Sequence, residues 1–204
     1  MIEIVYQDKY LAVVIKPAGV LSEDGDNSVP SLIREAMGRS DAYVGTIHRL
    51  DKGVGGLMVY SLDPTVTGRL TEAINSDGAG KEYLALLSGI PKKNEDILTD
   101  LLYHDKMKNK TYVVKRKRAG VKEAKLSYRV LKAGDGKALV SVRLFTGRTH
   151  QIRAQFASRW LPLMGDARYG GGKGEISLYS YKLTFMHPVT KRAMEFERDC
   201  PFSI

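Results

Sequence analysis

A chain of 204 residues with 43% hydrophobic and 27% charged side chains has the make-up of one globular domain spanning 1–204, large enough for a real core. No apolar run nears the roughly 20 residues of a membrane span, the start Met1-Ile2-Glu3-Ile4-Val5-Tyr6 lacks the parts of a signal peptide, and the lone Cys200 excludes an internal disulfide or a multi-cysteine metal site, so a cytoplasmic protein is expected. A net charge of +9 and a pI near 9.5 favour a polyanionic partner, of which nucleic acid is the commonest in the cytosol.

In chain order, Ile2–Tyr6 and Tyr10–Ile15 are β-rich runs around Gln7-Asp8-Lys9, which predicts an opening hairpin. Lys16-Pro17-Ala18-Gly19 then breaks the chain, and the acidic stretch Glu23–Asn27 is a loop. Ser28-Val29-Pro30-Ser31 ahead of Leu32–Met37 predicts a short capped helix that ends at Gly38. The next stretch, His48-Arg49-Leu50-Asp51, crowds three ionisable side chains together. Gly53, Gly55 and Gly56 follow, and Leu57–Tyr60 has the composition of a buried strand. Asp51 is therefore expected on a tight loop anchored to a core strand, where a carboxylate is held rigidly. Arg49 and Asp51 are two apart and leave the same face of an extended segment. Taken alone, the stretch reads as a surface salt bridge beside a glycine turn; it gains a functional meaning only if the rest of the chain supplies partners for Asp51.

Asp63-Pro64 predicts a helix through about Asn75, with Asp63 as N-cap and Pro64 at the first helical position. Lys81–Leu87 is a strand with Tyr83 near its start, and an aromatic there is as readily core as functional. Lys106, Lys108, Lys110, Lys115, Arg116, Lys117 and Arg118 put seven positive charges into 13 residues. That exceeds what protection of an edge strand needs, and it predicts a basic hairpin or arm for a polyanion. Lys125–Leu131 and Ala138–Phe145 are strands joined at Gly134-Asp135-Gly136. Thr146 or Thr149 is expected to cap a helix through about Ser158, with Ile152 and Phe156 on its buried face. Arg148 and Arg153 lie near the N-terminal end of that helix, where its dipole disfavours cations, so a carboxylate or phosphate partner is expected. A glycine-bounded loop, Trp160–Gly170, and strands Ile176–Phe185 and Ala193–Glu197 around His187-Pro188 complete the pattern.

Three stretches together, His48-Arg49-Leu50-Asp51 with the preceding Ile47, Lys81-Glu82-Tyr83, and Thr146-Gly147-Arg148-Thr149-His150-Gln151-Ile152-Arg153, resemble the catalytic domain of the RluA-type RNA pseudouridine synthases. Lys16-Pro17-Ala18-Gly19, Gly165-Asp166-Ala167-Arg168-Tyr169-Gly170 and Leu183–Pro188 fit the same pattern in the same order, so the resemblance covers nearly the whole chain. It implies an α+β fold with a bifurcated, mostly antiparallel mixed sheet flanked by helices and loops. It implies Asp51 as nucleophile, Tyr83 as the tyrosine that stacks on the target base and serves in proton removal, and Arg153 as the arginine that pairs with the catalytic carboxylate. Arg49 matches the arginine that fills the gap left by a flipped nucleotide. The other expected RNA contacts are His48, Arg148 and Gln151, with Lys115, Arg116 and Lys117 on the basic arm. The chain departs from the family where Val54-Gly55 replaces Thr-Ser and where Leu178-Tyr179-Ser180 replaces Leu-His-Ala. The small N-terminal RNA-binding domain of many relatives is expected to be absent.

The chemistry asks for these groups. Isomerising a uridine breaks the base–sugar bond and rejoins the base through carbon, and a carboxylate nucleophile opens that path. An arginine beside it favours its ionised form. Extruding a stacked base costs a few kcal/mol, of which an aromatic platform returns roughly 1–3 kcal/mol. No metal or redox cofactor is required, and a monomer acting on rRNA or tRNA without a membrane is the expectation. His48 and His150 are expected to make structural hydrogen bonds rather than act as bases, and Asp166 to be a turn residue. Two other functions fit parts of the pattern: a catalytically dead RNA-binding relative, and a nucleoside hydrolase using Asp51 with a second acid.

Overall fold

Leu11–Ile15 is apolar at every position because both faces of its strand are covered, and this continuous run sits at the centre of the first of two compact units. The structure, a computed structural model, describes residues 2–199, 201 and 202, so the expectation for Cys200 lies outside the described residues. The first unit comprises the chain up to Lys81 together with Ser180–Asp199, and the second comprises Glu82–Tyr179.

In the first unit β1 (Glu3–Gln7) and β2 (Leu11–Lys16) form the expected hairpin. Asp8 builds its turn: one carboxylate oxygen accepts from the amides of Tyr10 (2.7 Å) and Leu11 (2.9 Å). The other side of β2 pairs antiparallel with β4 (Gly55–Ser61), which also takes the two-residue β3 (Gly45–Thr46). The pair β10 (Leu178–Met186) and β11 (Ala193–Glu197) is antiparallel as well. Gly56, at φ +120°, lies where a Cβ would collide with the backbone of Ser180 on β10, so only glycine lets the two strands approach. Helix α1 (Val29–Ala36) starts as expected, with Ser28 and Ser31 exchanging a capping box, and ends before Gly38 in the left-handed region. Helix α2 (Thr67–Asn75) starts later than expected. Asp63 spends its carboxylate on the amide (2.8 Å) and hydroxyl (2.7 Å) of Thr65, closing a turn, and so does not cap the helix. Leu70 and Ile74 of α2 pack with Leu11, Val13, Ile47, Leu57, Val59, Leu183 and Phe185 as the core.

The second unit is an antiparallel sheet. β5 (Gly80–Leu87), most of which belongs here, pairs with β9 (Lys137–Leu144), β9 with β8 (Val121–Gly134), β8 with β6 (Glu95–Asp105) and β6 with β7 (Lys110–Val114). On β9, Ala138, Val140 and Val142 are buried while their neighbours are not, the alternation of a sheet covered on one side. The β8–β9 turn, Asp135-Gly136, has both residues at positive φ (50° and 72°), a tight hairpin turn of the favoured hand. Helix α3 (Gln151–Ala157), packed against β6 and β7, is shorter than expected and lacks a threonine cap. Its N-cap is His150, in the left-handed region at φ 52° with no side-chain cap bond, because Thr146 instead donates its hydroxyl to Gln151 Oε1 (2.8 Å). Ile152 and Phe156 are buried as expected, and Phe156 meets Tyr128 edge-on with ring centroids 5.5 Å apart. The basic stretch divides between the turn of the β6–β7 hairpin and the exposed loop from β7 to β8 that carries Lys115, Arg116 and Lys117.

Candidate active site

Asp51 is half-buried on the loop that leads into β4, and its carbonyl accepts from the amide of Val54 (2.9 Å), which closes the tight turn expected there. Two side chains brace this turn from outside it. Ser22 Oγ donates to the carbonyl of Leu50 (2.8 Å) and accepts from the amide of the same residue (3.1 Å). Lys16, at the end of β2 and without exposed surface, donates from Nζ to the carbonyls of Pro17 (3.0 Å), Lys52 (3.1 Å) and Val54 (2.7 Å). Burial pushes the Lys16 ammonium down to about 8, against the opposing pull of the Asp51 charge. A backbone bond, from the Gly19 amide to the Lys52 carbonyl (2.8 Å), also ties the Lys16–Gly19 corner to this loop. The Val54-Gly55 departure falls inside this brace: Val54 is buried, and its backbone serves both Asp51 and Lys16. The other departure places Ser180 on β10, where its hydroxyl donates to the Leu57 carbonyl (3.0 Å).

Arg49 is exposed and pairs with Glu23 (2.9 Å), also exposed, a pairing weak enough for an anionic ligand to replace. His48 accepts from the Val59 amide at Nε2 (3.2 Å), which ties the loop to β4. Burial, aided by the Lys81 charge, lowers its pKa to about 3, so the ring is neutral at physiological pH and brings no charge to a phosphate. The structural hydrogen bond weighed for this ring is the one observed. Lys81 itself is lowered by burial and donates to Asn75 (3.1 Å).

In the second unit Tyr83 is 6% exposed on β5, opposite Val142 of β9. Arg153 points from α3 into the interior and is 5% exposed. Its Nε and Nη2 donate to the two oxygens of Asp166 at 2.7 and 2.9 Å, a fork-on-fork pair in which the carboxylate is 1% exposed. The acidic partner expected for an arginine in this position thus includes Asp166. Its carboxylate carries the ion pair while its carbonyl accepts from the amides of Tyr169 (3.1 Å) and Gly171 (2.8 Å), so the turn role and the acid role coincide. The Arg153 guanidinium also lies 5.0 Å from the centre of the Tyr169 ring. Arg148 is exposed and spends Nε on the carbonyl of Glu123 (2.9 Å). Gln151 is 3% exposed and committed to the loop: its Oε1 accepts from Thr146 and from the Arg148 amide (3.0 Å), and its Nε2 donates to Lys125 (3.1 Å). Its observed work is to shape the backbone that presents Arg148.

Lys16, Ser22 and Tyr169 brace the site without having been singled out in the sequence, and Asp166, expected as a turn residue, carries the buried ion pair as well. Lys16 and Tyr169 enter the sequence reading only as members of short motifs, and no motif says which carbonyl or which guanidinium a side chain will meet. Among the described residues no cluster of three or more His, Cys, Asp or Glu side chains is suited to a metal ion, and no helix is long and apolar enough to cross a membrane.

Residues 10–158 match the family described as RNA pseudouridylate synthase. The ribosomal large subunit pseudouridine synthase D of Zymomonas mobilis is 29% identical over 98% of this chain and 69% of its own length. Another RNA pseudouridine synthase of that organism is 31% identical over 84% of this chain and 80% of its own. Among solved structures, human RNA pseudouridylate synthase domain-containing protein 1 superposes with a TM-score of 0.82 at 22% identity, over 100% of this chain and 85% of its own, which establishes the α+β pseudouridine synthase fold. On the strength of the family match over most of the length, this chain belongs to the RluA-type RNA pseudouridylate synthases, isomerases that convert uridine to pseudouridine in RNA.

Proposed function

We propose that this enzyme isomerises specific uridines of structured RNA, with Asp51 as the nucleophile acting on a base flipped out of its stack. The observation that carries the assignment is the brace around Asp51. A loop whose carbonyls are gripped by a buried ammonium and whose Leu50 is held in both directions by Ser22 fixes one carboxylate in place. In the reaction the glycosidic bond between base nitrogen and sugar breaks, the base turns, and its fifth carbon bonds to the same sugar carbon. The hydrogen on that carbon then leaves as a proton. Asp51 opens this path by attack on the sugar or the uracil ring. Tyr83 serves as the stacking surface and takes part in proton removal, Arg153 as the cation for the catalytic carboxylate, and Arg49 as the side chain that enters the vacated stack. These roles follow the family resemblance residue by residue. Lys115, Arg116, Lys117 and Arg148 contact RNA phosphates, while His48 shapes the backbone next to Arg49 and Gln151 the backbone that presents Arg148. Relatives named for the large ribosomal subunit make rRNA the first substrate to test and tRNA the second. The enzyme works as a cytoplasmic monomer without a metal or cofactor.

The test is release of tritium from the fifth carbon of labelled uracil in RNA, which follows isomerisation although uridine and pseudouridine have equal mass. Asp51→Asn is nearly isosteric and should keep the fold and RNA affinity while losing turnover. Wild-type release by the variant would remove Asp51 from the nucleophile's role. Free uracil and an abasic sugar from the wild type would make the protein a hydrolase, and no reaction on any RNA would make it a binder.

A further inference from the structure

We infer that Tyr169 is a positioning residue that joins the basic β6–β7 hairpin to the guanidinium of Arg153, an inference that rests on the role proposed for Arg153. Tyr169 is half-buried in the turn that follows Asp166, and its two ends do different work. The ring lies 5.0 Å from Arg153 Cζ and 5.2 Å from Lys110 Nζ, so one aromatic surface serves a cation on α3 and a cation at the start of β7. The hydroxyl oxygen accepts from the amide of Thr111 (2.7 Å), a donor on β7, and its proton is available to His150 Nδ1 at 3.0 Å. His150 is the left-handed N-cap of the helix that carries Arg153, and its side chain makes no capping bond.

The hairpin grips the same turn at further points. Thr111 Oγ1 donates to the carbonyl of Thr149 (2.8 Å), just before α3, and His104 Nδ1 bonds the same hydroxyl (3.0 Å). Arg168, beside Tyr169, donates to the carbonyl of Asn109 in the hairpin turn. Arg153 is therefore held by the carboxylate of Asp166 and lies over a ring whose own position is set from β7 and from His150. RNA phosphates loading onto Lys106, Lys108 and the 115–118 loop press on the element that fixes the Tyr169 hydroxyl. Substrate docking and the alignment of Arg153 thus share one side chain.

Tyr169→Phe keeps the ring and removes the hydroxyl, and it is compared with Arg153→Lys and the double variant at a temperature where circular dichroism shows all three folded. The expected result is a turnover number at saturating RNA about tenfold lower for Tyr169→Phe, with KM and RNA affinity within about twofold of wild type. In the Arg153→Lys background the same substitution should have little further effect, because both act through one guanidinium. An unchanged turnover number for Tyr169→Phe, a loss confined to KM, or full multiplication of the two effects overturns the coupling. Wild-type turnover by Arg153→Lys alone overturns the role of Arg153 itself, and the coupling with it. A failure of the present inference with that role intact reads differently: Arg153→Lys is slow and Tyr169→Phe is not.

Discussion

At the scale of single residues, Lys16 is the side chain whose replacement reads the brace around Asp51 most directly. Asp51, Tyr83 and Arg153 stand out in the sequence because each sits in one of the ordered motifs that carry the family resemblance. Lys16 does not, since a lysine before proline reads as solvated until its ammonium is found against three carbonyls. Lys16→Met strips those carbonyls of a donor, and the expected cost is about 1–3 kcal/mol of unfolding free energy with a larger loss of turnover than of RNA affinity. The pH dependence has a definite sign. Burial lowers Lys16 to about 8 in the folded state from 10.5. Below pH 8 both states hold the proton and the folded state bears the full penalty of burying the charge. Between pH 8 and 10.5 the folded state releases its proton first, so stability gains with rising pH. Denaturant titrations should show the gap between wild type and Lys16→Met widening across that window. A gap that stays constant would mean that the ammonium is better solvated than its burial implies. Asp166 makes the same point in reverse: a turn signal was correct and still concealed a buried ion pair, because sequence spacing does not reveal which side chain arrives from α3.

Elements were readable where a local signal decides them and misread where a side chain had a better offer elsewhere. The Ser28–Ser31 capping box and the Asp135-Gly136 turn are self-contained, and both formed as expected. The starts of α2 and α3 were misplaced because Asp63 closes its own turn and Thr146 bonds Gln151. The long strand β6 was hidden inside a stretch whose charge dominated its reading. The charge itself has an element-level consequence. Lys115, Arg116 and Lys117 are exposed on the loop between β7 and β8, a short span that offers phosphates a concentrated cationic edge. Replacing all three with alanine should weaken binding to different RNAs alike and reduce the slope of log K against log salt by roughly 0.7–0.9 for each phosphate no longer neutralised. Binding titrations at several salt concentrations measure this directly, and an unaltered slope would reduce the loop to a solvated edge.

At the scale of the whole molecule, the first unit is assembled from two distant parts of the chain, and a small polar cluster fastens them. Asp8, in the β1–β2 turn, receives the hydroxyl of Tyr6 (2.9 Å), two backbone amides, and Nε2 of the buried His187 (2.8 Å), whose Nδ1 in turn accepts from the amides of Val189 and Thr190. Burial alone would raise the Asp8 pKa, but the amides of Tyr10 and Leu11, then Tyr6 and His187, outweigh it and lower it. A carboxylate with a depressed folded pKa stabilises above its unfolded value and loses that contribution as pH falls through the folded one. Asp8→Asn should therefore cost about 1.5–3 kcal/mol at neutral pH. The difference from wild type should shrink in denaturant titrations carried below pH 3.8, and a difference independent of pH would exclude the charge as its cause. The division of the chain also has a consequence in time. The strand pair β10–β11 belongs to the unit that frames Asp51, yet a ribosome makes it only after Glu82–Tyr179. At roughly 5–20 residues per second, the intervening stretch of about 100 residues delays completion of that frame by about 5–20 s. On the roles proposed for Asp51 and the cationic loop, a nascent chain stalled in that interval displays the loop before the scaffold around Asp51 is complete, and it holds on to RNA before it can modify it.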